Sequence, residues 1–245
     1  MAAESSVVPE AVREVIEGKI VPIEQLFRSL MLALATHQVG TAAIAQASHS
    51  VRVNAVIAAG VTTEPIPIQL LRNFSGLYPN FIQEEFQGKL IQLWKDLLRD
   101  IFSIFLDLHI RGTRPFKECG SLSIKVNFRE ERPLSDVFRD SVLKCFDFEE
   151  HRDQFRIVNK ALGREELPPP AKHIFQHAQF RNAIQHHFGV LGADIFRMLG
   201  CSEIILLDGS GEERRLHDGD KVEISLPELN KLRMSILEVM HKWKR

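Results

Sequence analysis

Apolar side chains recur at helical spacing along most of the chain. From Ile23 to about Gly60, Ala, Leu, Ile and Val predominate with few breakers, which predicts one long helix or two consecutive ones before Pro65-Ile66-Pro67. Phe86, Leu90, Leu93, Trp94, Leu97, Leu98, Ile101, Phe105 and Leu108 mark a self-contained helix over 80–110, stopped by Gly112 and Pro115. Between 116 and 133, Leu122, Ile124, Val126 and Phe128 alternate with polar neighbours and predict a short strand or extended arm. Helical spacing resumes at Leu134, with Ser135 as a capping residue, and a second amphipathic segment over 148–162 stops at Gly163. Pro168-Pro169-Pro170 forces an extended connector before a helix predicted over 171–199, which holds four of the ten histidines. Beyond Gly200 the period shortens: 204–207 and 222–225 read as a hairpin with a long tip. Pro227 then opens a last helix whose Leu229, Leu232, Ile236, Leu237 and Met240 share one face.

The fold class that follows is mainly α, a helical bundle with a small β-hairpin near the C-terminus and an N-terminal helical extension. The extension covers 1–79, the main helical domain 80–245.

Composition narrows the function. A net charge of -1 over 245 residues excludes a chain that grips nucleic acid by bulk positive charge, so any such binding needs a local patch. Cys119, Cys145 and Cys201 are odd in number and lack metal spacing, which reads as reduced thiols in a cytosolic protein. The polar, acidic Met1-Ala2-Ala3-Glu4 start is unlike a secretory signal, and the apolar stretches before residue 61 carry too many polar groups to span a bilayer. The expected location is the cytoplasm, with no membrane partner.

Chemistry concentrates in Phe180-Arg181-Asn182-Ala183-Ile184-Gln185-His186-His187-Phe188. At about 100° per residue from Arg181, Gln185 falls near 40°, Asn182 near 100° and His186 near 140°, while Phe180, Ile184, Phe188 and Leu191 cluster between roughly 260° and 340°. One arc is polar, the other core. Ile174 and Phe175 project onto the polar arc, so the upstream turns need cover from another helix or a second subunit. Arg181 supplies a permanent cation for a phosphate, Asn182 a polar orienting group, and His186 an imidazole that exchanges protons near neutrality. Such a set cleaves an RNA phosphodiester without a metal. Gln185 and His187 flank it as candidate substrate-binding groups, His187 at the edge of the apolar arc where a core or supporting role competes. Arg72-Asn73 repeats the dipeptide with Leu77 where the histidine belongs.

Arg181-Asn182 followed by His186, with apolar flanks and a downstream Asp218-Gly219-Asp220 step before the last helix, resembles the HEPN superfamily (higher eukaryotes and prokaryotes nucleotide-binding) from about Asn80 to Arg245. The resemblance implies an all-helical bundle and a metal-independent endoribonuclease with no cofactor, leaving 2′,3′-cyclic phosphate ends. It implies a homodimer that brings two Arg/His sets into one cleft, an RNA substrate, and a setting as toxin or effector in prokaryotic defence or toxin–antitoxin systems, with an antitoxin or regulatory protein as partner. Where family toxins controlled by a nucleotidyltransferase often carry Tyr two residues after the histidine, this chain has Phe188.

Blander readings stand beside it. Arg181, Asn182 and His186 can be a solvated helix face, and the chain a non-catalytic interaction module that assembles through its apolar N-terminal helices. His173 and His177 form an i,i+4 pair that lacks the intervening Glu of a zinc protease helix, so no metal site is assigned. Glu212-Glu213-Arg214-Arg215 reads as a solvated hairpin tip, and Trp94 and Phe105 as core. No Walker A loop, dinucleotide fingerprint, GxSxG elbow or kinase signature is present.

Overall fold

A computed structural model describes residues 8–120 and 132–245. Among these the chain is mainly helical, with eight α-helices and a small two-stranded hairpin near the C-terminus.

Helix α1 (Glu10–Gln46) begins well before Ile23 and runs through Pro22. It buries Val12, Ile16, Ile23 and Leu30 in the same apolar core as the helices that follow. Pairs of Lys19 with Asp100, Glu17 with Lys244 and Glu24 with Arg233 fasten its first half to that body. The helix ends at Gln46 rather than near Gly60. Beyond it, β-branched residues take extended backbone: β1 (Arg52–Val53), β2 (Val56–Ala58), β3 (Val61–Thr62) and β4 (Ile66–Pro67). β2 and β3 pair antiparallel around Gly60, whose φ of 78° lies in the left-handed region that favours glycine. After the short α2 (Ile68–Ser75), α3 (Tyr78–Ile110) is the axis of the molecule. Its buried Leu90, Ile91, Trp94, Leu97, Leu98 and Ile101 occupy more than one stripe, as a helix surrounded by others requires. Trp94 stacks on Trp243 at 5.3 Å and meets Phe155 edge-on, so three helices share one aromatic knot.

Helices α4 (Leu134–Phe148) and α5 (His151–Ala161) fall where the periodicity places them, although α4 starts directly after Pro133 and Ser135 does not cap it. The strand or arm expected over 116–133 lies largely outside the described residues; Lys117–Cys119 form a single 3-10 turn. The helix expected over 171–199 is two: α6 (Pro170–His187) and α7 (Ala193–Leu199). Phe188 at φ 53° and Gly189 at φ 82° end α6, the Gly189 N–H returning to the Ala183 carbonyl at 3.0 Å.

The hairpin also departs from expectation. β5 (Ile204–Leu207) pairs with β6 (Glu213–Leu216), not with 222–225. The Asp208 carboxylate accepts from the N–H groups of Ser210 and Glu212, which folds a tight turn just after β5 and leaves no room for a long tip. Glu213, Arg214 and Arg215 are therefore strand residues, and both arginines are engaged, Arg214 by Glu223 at 3.1 Å and Arg215 by Glu203 at 3.0 Å. Val222 and Ile224 are buried without forming a strand. α8 (Leu226–Trp243) closes the fold, its N-terminus capped by Ser225.

Candidate functional site

Helix α6 changes character along its length. From Ala171 to Phe180 it is enclosed nearly all round: Ile174 is fully buried, Phe175 packs edge-on to Phe155 and His151 of α5, and Gln87 of α3 donates to the His177 carbonyl at 2.7 Å. This is the covering that Ile174 and Phe175 demanded. From Arg181 onward one arc opens to solvent while Ala183 stays buried.

Arg181 is half-buried, Asn182, Gln185 and His186 are exposed, and the Arg181 Nη1–H points to the Asn182 Oδ1 at 3.4 Å. Among the described residues none of the three motif side chains forms an ion pair or bonds to another element. They share a strip of one helix but not one pocket. Arg181 and Gln185 border a shallow groove of about 110 Å³ against Phe81 and Glu84 of α3, Asn182 lines a larger cavity on the other side, and His186 lies in the last turn outside both. His187 is exposed, which removes the core role weighed for it. Phe188, expected on the apolar arc, is 89% exposed because the left-handed turn carries it away from the helix.

Residues of the same types nearby are spent differently. Arg72 of the repeated Arg-Asn dipeptide donates to the carbonyls of Ile44, Ala45 and Ala47 and so caps the C-terminus of α1. His173 and His177 converge from α6 on Glu228 of α8: their Nε2 atoms lie 2.6 and 3.0 Å from the same Oε1. The other Glu228 oxygen accepts the Leu207 N–H at 2.8 Å, and Ser235 Oγ meets His173 Nδ1 at 3.1 Å. The ligand atoms of His173, His177 and Glu228 gather within 4.8 Å, a set that offers two imidazoles and a carboxylate to a metal. Yet ligands held about 2.0–2.1 Å from a tetrahedral zinc stand roughly 3.3 Å apart, so a 2.6 Å contact is the length of a direct charge-assisted hydrogen bond. Three donors satisfy the buried carboxylate without an ion. Burial drives the His177 pKa down to about 4, so its ring is neutral at neutral pH. Glu228 is held well below the ordinary carboxylate range, the hydrogen bonds from His173, His177 and Leu207 outweighing its burial. Sequence reasoning found the two histidines and missed the glutamate, which lies 51 residues beyond His177 on another helix.

Cys119, Cys145 and Cys201 are half-buried and form no disulfide. No helix among the described residues is long and apolar enough to cross a membrane. Comparison with family models, curated proteins and solved structures finds no match, so the functional reading rests on residue chemistry and geometry.

Proposed function

We propose that the chain is a metal-independent endoribonuclease of HEPN type, working as a homodimer, with Arg181 and His186 as catalytic residues and Asn182 orienting the phosphate or the imidazole. The observation that carries this reading is the contrast within one fold. Arg72, His173 and His177 are consumed by structural bonds, whereas Arg181, Asn182 and His186 hold an open arc with no partner on another element among the described residues. A guanidinium and an imidazole at that surface suit charge stabilisation and proton transfer at a phosphodiester. One strip offers one cation and one proton-transfer group, too few for both an acid and a base. A second copy related by a two-fold axis supplies the missing set.

The chemistry follows from the groups present. The 2′-hydroxyl next to the scissile phosphate attacks phosphorus, one His186 takes its proton, and the 5′-oxygen leaves with a proton from the partner set. Arg181 offsets charge on the equatorial oxygens. Gln185 and His187, both exposed beside the strip, are the proposed contacts to the RNA backbone. The cytoplasmic toxin or effector setting, with an antitoxin or regulatory partner, comes from the family resemblance alone. Incubating the wild type and His186→Ala with single-stranded RNA tests the proposal: the wild type cleaves, and the variant loses activity by at least about 10²-fold.

A second reading has an observation of its own. Leu32 and Val39 in the second half of α1, and Leu77 and Phe81 at the start of α3, are all more than 60% exposed, as a module that binds a partner through its N-terminal helices requires. A wild type that cleaves no RNA in dimeric form favours that reading.

A further inference from the structure

Beside the Arg181–His186 strip, the middle of α3, the start of α5, α6 from Ala171 to Asn182 and the end of α7 line an open cavity of about 800 Å³, within the roughly 300–1,000 Å³ typical of small-molecule sites. One part of its wall is apolar and aromatic: Phe175 and His151 meet edge-on at 5.7 Å, flanked by Leu167, Pro168 and Leu199. His151 is uncharged at neutral pH, because burial and the charge of Lys95 push its pKa down to about 4. Asn182 and Gln179 add amides along α6, so the cavity touches the motif directly. The remaining wall is charged. Lys95, Arg152 and Lys172 line it, and Glu149 and Glu150 at the start of α5 offset part of their charge.

Lys95 is the residue that packing does not account for. It stands half-buried on α3 next to the fully buried Trp94, and among the described residues no carboxylate pairs with it. Burial, together with repulsion from Arg181, holds its ammonium below the ordinary lysine range. A half-buried ammonium that no carboxylate pairs with among the described residues costs stability unless an anion completes it. An aromatic wall, amides and a lysine without a carboxylate partner among the described residues, within one cavity, match the three parts of a nucleotide.

Building on the ribonuclease reading, we infer that this cavity seats one nucleotide unit of single-stranded RNA, its base against the Phe175–His151 wall and its phosphate held by Lys95. Bases stack on aromatic side chains without sequence preference, so the seat positions the strand and leaves the cut to Arg181 and His186.

The test is anisotropy of a labelled single-stranded oligonucleotide with 2′-methoxy sugars, which binds but cannot be cut, against full-length wild type, Lys95→Ala, Lys95→Arg and the off-site control Lys117→Ala. Cleavage of unmodified RNA is measured on the same preparations. Lys95→Ala weakens binding about tenfold at 0.1 M salt and lowers the salt slope by about 0.7, the value for one lost phosphate contact on a single strand. Lys95→Arg stays within about threefold of wild type, Lys117→Ala is unchanged, and the melting temperature of Lys95→Ala equals or exceeds that of wild type. Wild-type affinity and salt slope in Lys95→Ala, with wild-type protein that cleaves RNA, overturn the seat and leave the ribonuclease reading standing. Lys95-dependent binding by a protein that never cleaves supports the seat and counts against the ribonuclease. Absence of any oligonucleotide binding overturns both.

Discussion

His177 and Glu228, 51 residues apart in the chain, share a 3.0 Å hydrogen bond with neither side chain reached by solvent. Through it and the neighbouring His173 bond, α6 is fixed to α8, and the Leu207 N–H ties the β5 strand to the same carboxylate. The helix that carries the proposed site is thus held upstream of Arg181 by a polar bolt, not by apolar packing alone. Glu228→Ala strips three donors of their acceptor in the interior and lowers unfolding free energy by roughly 2–4 kcal/mol. Urea denaturation followed by circular dichroism reads this directly; a loss under about 0.5 kcal/mol would show that the bolt is idle.

Acid should loosen the same region. His177 and His151 both have folded-state pKa values near 4, below the 6.5 of an unfolded histidine. Between those values the unfolded chain binds more protons than the folded one, so stability is complete above about pH 6.5 and falls as pH drops toward 4. Glu228, lowered in the folded state, extends the loss to still lower pH. Each histidine contributes on the order of a few kcal/mol across this window. Melting temperatures between pH 7.5 and 4 should decline, and His151→Phe should flatten part of the slope. A profile that rises toward pH 4 would contradict the buried neutral histidines.

Changes on the open arc should leave the fold alone. His186 is exposed and, among the described residues, Arg181 bonds only to its neighbour Asn182, so His186→Ala and Arg181→Ala shift stability by no more than about 0.5 kcal/mol. Differential scanning calorimetry of both variants checks this. A drop of several degrees in melting temperature would assign those side chains a structural role.

Arg181 and Asn182 of a single chain line different pockets, and His186 lies outside both, so the proposed activity depends on assembly. Analytical ultracentrifugation is expected to give a two-fold dimer, and specific activity should fall on dilution below its dissociation constant. Mixing wild type with excess His186→Ala protein tests sharing across the interface: if both imidazoles serve one site, the mixed dimers are inactive and the activity of the wild type falls as the variant is added. A monomer that cleaves RNA at a rate independent of concentration would contradict the arrangement.

Within-helix periodicity made much of the fold legible, because Leu90, Trp94, Leu97, Leu98 and Ile101 on α3, and Leu229, Leu232, Ile236 and Met240 on α8, repeat at the interval a buried face demands. Pairing between distant segments left weaker traces. β6 buries only Leu216 and so shows no alternation, while buried Val222 and Ile224 mimic a strand they do not form. The break after His187 depends on Phe188 adopting a left-handed backbone, rare for a side chain of its size; Gly189 and Gly192 were the available signal. Arg181, Asn182 and His186 were readable because they lie on one helix. Glu228 and Lys95 were not, since their partners come from other elements, although Ser225-Leu226-Pro227-Glu228 carries the spacing of a capping box and Ser225 does cap α8.

The most direct test of the central proposal is the chemistry of the ends produced from single-stranded RNA in excess EDTA. Attack by the ribose 2′-oxygen, assisted by His186 and stabilised by Arg181, requires cleavage to persist in EDTA, to leave 2′,3′-cyclic phosphate and 5′-hydroxyl termini, and to fail on a strand with a 2′-methoxy group at the cut. Cleavage that needs Mg²⁺ and leaves a 5′-phosphate, or that proceeds unchanged in His186→Ala, would contradict it.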